Sequence, residues 1–144
     1  LTSEDKTVVA AAMERMDVAH LAGRVVSTLS DGERQKCLIA KAIAQQTPLM
    51  LLDEPTAFLD FRSKVQLFRT LRALATDDGK AVVVSTHDIE MALRFANKLW
   101  LICDGALYEG SAQELAANGL LQRFIDGDGI VYDKENNRID ITQI

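Results

Sequence analysis

The residues equipped for chemistry fall in three short runs: Ser30-Asp31-Gly32-Glu33, Asp53-Glu54, and Ser85-Thr86-His87-Asp88. Asp53 and Glu54 follow directly on the apolar run Leu49-Met50-Leu51-Leu52. Adjacent carboxylates repel and are costly to strip of water, so such a pair calls for a cation or a shared proton. A Mg²⁺-linked Asp beside a Glu that acts on water meets that need; the plain alternative is a solvated acidic turn before Pro55. Ser30 to Glu33 reads as a capping box, with Ser30 at the N-cap and Glu33 reaching back to it. Gly32 also leaves room for an anion against the exposed N–H groups and the positive end of a helix. His87 can donate to a phosphate or orient a water, and it is equally an ordinary loop residue.

These groups need rigid supports, and the hydrophobic pattern provides them. Leu49–Leu52 is a continuous apolar run, as for a strand buried on both faces of a parallel sheet. Ala81–Ser85 is a second such strand, so Asp53, Glu54 and His87 should emerge at one C-terminal sheet edge, where open α/β sheets bind ligands. A helix from about Ser3 to Met16 carries Val8, Val9, Ala12 and Met16 on one stripe. Another runs from Asp31 to Gln46 with Cys37, Ile39, Ala40, Ile43 and Ala44, and Pro48 closes it. From Phe61 to Ala75 the pattern turns Phe61, Val65, Phe68 and Leu71 inward and Arg62, Lys64, Arg69 and Arg72 outward. Asp77-Asp78-Gly79 is a turn and Asp88–Asn97 a helix. Leu99–Cys103 is a third strand, joined through Asp104-Gly105 to Ala106–Tyr108. Ser111–Asn118 is a short helix ended by Gly119, and Ile130–Tyr132 with Arg138–Ile141 form a terminal hairpin. The alternation of strand and helix is that of an α/β fold with right-handed crossovers.

Composition narrows the function classes. The 144 residues are 48% hydrophobic and 26% charged, a globular balance. There are 16 basic against 21 acidic side chains, a net charge of −5. No basic run is present, which argues against sequence-independent binding to nucleic acid. The apolar stretches are too short to cross a bilayer. No signal peptide is visible, although the first residue is Leu1, so the natural start is expected to lie elsewhere. Cys37 and Cys103 are not in CxxC spacing and read as reduced, packed thiols. His20 reads as a structural residue. Asp126-Gly127-Asp128-Gly129 reads as a turn, because Ile130 and Val131 stand where a calcium loop needs an oxygen ligand and a glycine.

Leu29-Ser30-Asp31-Gly32-Glu33, Leu49 to Glu54, Pro55-Thr56-Ala57-Phe58-Leu59-Asp60 and His87, in that order and spacing, resemble the second half of an ABC-transporter ATPase domain. They match its signature motif, Walker B, D-loop and switch histidine from about Arg24 to Asp88, and more weakly through Asp104-Gly105 and Gly110 to about Leu115. Asp31 and Glu33 replace the usual second glycine and glutamine, and Ala57-Phe58 the usual Ser-Ala. No GxxxxGK[ST] is present, since Gly79-Lys80 runs into Ala81. The resemblance therefore implies a C-terminal part of an ATP-binding subunit, with the Walker A, adenine-stacking aromatic and Q-loop upstream of Leu1. From Leu29 through Asp60 the wording is most similar to ATPases that import iron–siderophore, haem or cobalamin complexes.

That resemblance carries a set of expectations. The fold is an α/β, P-loop NTPase-type parallel sheet flanked by helices, lacking the Walker A half, with a C-terminal hairpin. Residues 1–46 belong to a helical subdomain with the signature helix, 47–110 to the α/β core, and 111–144 to C-terminal helices and the hairpin. Asp53 holds Mg²⁺, Glu54 is the general base, and His87 bridges the γ-phosphate of ATP and the attacking water. Ser30 and Gly32 bind the γ-phosphate of a nucleotide held by a second ATPase subunit, and Asp60 links the two sites. The partners are that second subunit, as a homodimer, and membrane permease subunits, with no nucleic acid, at the cytoplasmic face of the membrane. Residues 1–144 alone are expected not to hydrolyse ATP. The rival readings are a DNA-repair or translation ATPase of the same family and a non-enzymatic interaction fragment. Leu49–Leu52 is expected beside Ala81–Ser85 in parallel, with a gap of roughly 10 Å, two strand spacings, between Ala81–Ser85 and Leu99–Cys103.

Overall fold

The computed structural model describes residues 2–142, which form two compact units, 2–87 and 88–142. The first unit is built on α1 (Ser3–Arg15), α2 (Asp31–Ala44), β1 (Leu49–Asp53), α3 (Phe61–Thr76) and β2 (Ala81–Ser85). Each long helix starts where its sequence supplies a side-chain oxygen for the free N–H groups of the first turn. Thr2 with Asp5 and Ser30 with Glu33 are full capping boxes, and Asp60 caps α3 by accepting from Ser63 N. The strands β1 and β2 pair in parallel, Leu49 with Ala81 through Asp53 with Ser85. Ala12 of α1, Ile39, Ala40 and Ile43 of α2, Met50 of β1, and Leu67, Leu71 and Leu74 of α3 make one core, with Leu52, Val82 and Val84 packed against it. Arg15 ties the end of α1 to the turn after α3 through Asp78, at 2.5 Å.

The second unit holds α4 (Ile89–Phe95), a β3–β4 hairpin (Leu99–Cys103 and Ala106–Gly110), α5 (Ala112–Ala117), α6 (Leu120–Ile125) and a β5–β6 hairpin (Ile130–Asp133 and Arg138–Ile141). Asp104 and Gly105, both at positive φ, close the first hairpin in two residues. Leu93, Leu99, Leu101, Leu115, Leu121, Ile125 and Tyr132 form its core.

The parallel β1–β2 pairing and the terminal hairpin agree with the sequence. The expectation that Leu49–Leu52 is buried on both faces does not hold. Met50 is 4% exposed but Leu49 and Leu51 are 50% and 69% exposed, because the first unit's helical core packs on the Met50, Leu52, Val82 and Val84 side. Phe61, expected inward, is 69% exposed, since it is the first residue of α3 and lies before the turns that reach the core. Residues 96 and 97 are not helical; α4 ends at Phe95, with Ala96 extended. Strand β4 runs on to Gly110, and α6 gives a position to the second of the expected C-terminal helices, for which the sequence reading named no residues. Among the described residues β2 has β1 as its ladder neighbour and β3 has β4, in two-stranded sheets. Cys37 and Cys103 are half-buried free thiols, and burial pushes the Cys37 thiol up from its ordinary value.

Candidate functional site

The end of the β1–β2 ladder positions the first group of residues. Asp53 and Ser85 are the last register pair, and the Ser85 hydroxyl donates to an Asp53 carboxylate oxygen. The Glu54 N–H donates to Ser85 O at 3.0 Å and lies 3.3 Å from Ser85 Oγ, so Glu54 is tied to the strand although the ladder has ended. Its φ of +43° turns the chain sharply out of β1, and Pro55 and Thr56 are buried directly after it. A non-glycine residue in that region is strained and persists only where its surroundings over-determine it. The Glu54 carboxylate, 32% exposed, is 2.9 Å from Nδ1 of His87, whose ring is 89% exposed. Asp53, Glu54 and His87 therefore stand together at one C-terminal sheet edge.

A second group gathers where α2 and α3 begin. Ser30 Oγ accepts from Glu33 N at 3.3 Å and donates to Glu33 Oε2 at 2.9 Å, while Ser30 N donates to the same oxygen at 2.8 Å. The Ser30 N–H, and after it the Ser30 hydroxyl, hold the Glu33 carboxyl below the usual range. Asp60 Oδ1 accepts from Ser63 N at 2.7 Å, and that bond likewise lowers the Asp60 carboxyl. Between the two helix starts Gly32 meets the loop that follows Glu54. A Cβ on Gly32 would stand 3.0 Å from Phe58 O and 3.8 Å from a Leu59 methyl.

Ser30, Gly32 and Asp60 line one open cavity of about 590 Å³, together with Lys36, Phe58 and His20. The structure thus brings the six predicted residues together as two groups of three, with the Glu54–Asp60 loop joining them. His20, expected as a structural residue, is exposed on that cavity. Sequence reasoning named Ser85 only as part of the run before His87 and missed its role: its hydroxyl holds the Asp53 carboxylate and its carbonyl the Glu54 backbone N–H. That role depends on the parallel register, which places Ser85 opposite Asp53.

The oxygen donors suit Mg²⁺, which takes one or two carboxylates and keeps waters and phosphate oxygens for its other positions. Ser85 bonds one oxygen of Asp53. Among the described residues no group of three or more His, Cys, Asp or Glu forms a closed metal cage.

Residues 2–57 match the sequence family described as ABC transporter. The chain is 42% identical over 111 residues to the cobalamin import ATP-binding protein BtuD of Halobacterium salinarum, covering 77% of this chain and 28% of that protein. It is 44% identical over 124 residues to the hemin import ATP-binding protein HmuV of Streptomyces coelicolor, covering 85% and 44%. Among solved structures it resembles an ABC transporter in an inward-facing conformation, with a TM-score of 0.76, 33% identity, and coverage of 86% and 49%. It also resembles the dimeric bacterial ABC transporter cassette MJ0796, with a TM-score of 0.69, 31% identity, and coverage of 77% and 49%. The chain spans less than half the length of each of these proteins.

Proposed function

The chain belongs with the ABC transporter ATP-binding proteins in sequence and in fold, and from that premise we propose that the protein containing it hydrolyses ATP to power a membrane importer. The cargo class is an iron–siderophore, haem or cobalamin complex, supported by the import proteins named above and by the wording of residues 29–60. The observation that carries the reading is the Glu54 carboxylate at the end of β1, beside Asp53 and 2.9 Å from His87.

In this reading Glu54 accepts the proton of the attacking water, and His87 orients the Glu54 carboxylate and a phosphate oxygen. Asp53, fixed by Ser85, holds Mg²⁺, which when bound neutralises charge building on the phosphates. Ser30 and Gly32 stand at the start of α2, where the Ser30 hydroxyl, once released from Glu33, and the first-turn N–H groups outside the capping box face the γ-phosphate of ATP held by a second subunit. Asp60 joins the two sites, its carboxylate fixed by Ser63 N. Residues 1–46 act as the helical subdomain with the signature helix, 47–110 as the catalytic core and 111–144 as the C-terminal part. The working assembly is a homodimer on permease subunits at the cytoplasmic face of a membrane. Among the described residues no helix is long and apolar enough to cross that membrane.

The test is Glu54→Gln in the intact protein. The amide keeps the shape but cannot take up a proton, so hydrolysis should stop while ATP still binds. Turnover near the wild-type rate would overturn the reading. Residues 1–144 alone, without the phosphate-cradling loop of P-loop proteins, should not hydrolyse ATP.

A further inference from the structure

We propose that the outer side of α3 is a docking strip for an anionic lipid surface, contacted through Arg62, Arg69 and Arg72; this rests on the placement of the protein at a membrane, not on the roles given to Asp53, Glu54 and His87. Helix α3 carries Arg62, Lys64, Arg69 and Arg72 and no acidic residue, in a chain of net charge −5. Helices α1 and α2, by contrast, each mix both signs. Leu67, Phe68, Leu71 and Leu74 are buried in the core. At 3.6 residues per turn, Arg62, Arg69 and Arg72 fall within an arc of about 80° on the other side, spread along about 15 Å of the axis. All three are exposed. Among the described residues no ion pair holds any of them, whereas Arg15, Arg34, Arg123 and Arg138 each lie on a carboxylate. The acids at the ends of α3 are engaged elsewhere: Asp60 accepts from Ser63 N, Asp77 from the Thr76 hydroxyl, and Asp78 from Arg15.

This charge pattern works against the helix itself. Arg62 is the second residue of α3, at the positive end of the helix dipole, which favours anions. Arg69 and Arg72 are three apart, a spacing at which like charges repel. Mixed signs would keep the face soluble without either cost. A negative surface outside α3 relieves both. A lipid headgroup layer is the anion that the rest of the chain admits, because the proposed assembly already stands beside one. The chain has no basic run and an acidic balance, which disfavours nucleic acid as the occupant. The net charge does not prevent contact with lipid: charges beyond about 8 Å are screened at physiological salt, and side chains on the strip act within that distance.

The experiment floats the intact protein with vesicles of phosphatidylcholine, alone or mixed with phosphatidylglycerol. It compares wild type with the triple variants Arg62→Gln/Arg69→Gln/Arg72→Gln and Arg62→Lys/Arg69→Lys/Arg72→Lys. Each arginine near an anionic surface strengthens binding about fivefold, so the neutral variant should bind phosphatidylglycerol vesicles about 100-fold more weakly. The lysine variant, which keeps the charge, should stay within about threefold of wild type. Wild-type binding should fall as salt is added and be weak on phosphatidylcholine alone. Gln and Lys suit a helix about as well as Arg, so the thermal midpoints should agree. Equal binding by the neutral variant, or equal binding to both kinds of vesicle, overturns the strip. Arginine-dependent binding to duplex DNA or to the permease, without binding to phosphatidylglycerol vesicles, overturns the lipid as its occupant. If the permease stimulates ATP turnover while the protein ignores anionic vesicles, the importer reading stands and the strip falls. If the arginines bind vesicles but turnover ignores the permease, the strip stands and the importer reading fails.

Discussion

His87 Nδ1 lies 2.9 Å from Glu54 Oε1, across two residues that belong to different strand ends and are 33 positions apart in sequence. Both follow the last ladder pair, Asp53 with Ser85, so the parallel register sets their separation. With the ring 89% exposed, little but this contact orients it. His87→Ala in the intact protein should therefore lower ATP turnover by about 100-fold, within the usual range for a group that handles a proton or orients one that does. Phosphate release at saturating ATP measures this, and ATP affinity should change little.

Gly32→Ala sets two effects of opposite sign against each other. Alanine favours a helix over glycine by up to about 1 kcal/mol. Its Cβ, however, would stand 3.0 Å from the Phe58 carbonyl, a backbone atom that the turns around it hold in place. The clash should win, with a net loss of about 1–3 kcal/mol in denaturant unfolding. An unchanged midpoint would mean that the Phe58 loop yields freely.

Acid should act on the helix caps. The carboxyls of Glu33, Asp60 and Glu114 are all lowered, first by a backbone N–H: that of Ser30, Ser63 and Ser111 respectively. A group whose pKa is lower folded than unfolded contributes stability above its unfolded value, about 3.9 for Asp and 4.3 for Glu, and loses it as pH falls through the folded value. Thermal midpoints should thus hold from pH 7 to about 5 and fall below about pH 4. Glu114→Gln should start lower at neutral pH and lose less on acidification.

The second unit depends on Leu121, which is 0% exposed in its core. Leu121→Ala should cost about 2–5 kcal/mol, by lost burial and the cavity left behind. Trp100, the single tryptophan and a β3 residue, gives the fluorescence signal for that loss.

Much of this was legible in the sequence, for identifiable reasons. Capping at Ser30 depends on a residue three positions on, so local spacing reveals it, and the same spacing at Ser111 and Glu114 was left unread. The parallel pairing of Leu49–Leu52 with Ala81–Ser85 came with the family resemblance, and the apolar runs themselves marked both segments as strands. Exposure was harder to read. Leu49 and Leu51 have the same character as Met50 and Leu52, and only the placement of the helices separates the two sides of the strand. Phe61 fits the apolar period of α3 but falls at its first residue, where periodicity says nothing of what lies opposite. Gly119 read as the end of a helix, whereas its φ of +73° ends α5 and starts α6 in one residue. The meeting of Gly32 with the Phe58 carbonyl joins positions 26 apart, and no spacing rule reaches that far.

The side of β1 that bears Leu49 and Leu51 sets how residues 1–144 would behave as a solute. Each molecule offers a flat aliphatic strip, and among the described residues β2 has one ladder neighbour, so a stack of such ribbons could grow by adding copies edge to edge. Loss of soluble material should then follow second-order kinetics, with a half-life that halves as concentration doubles. Leu51→Lys would slow it without touching the packed side, because a charge on the strip must be stripped of water each time two molecules stack.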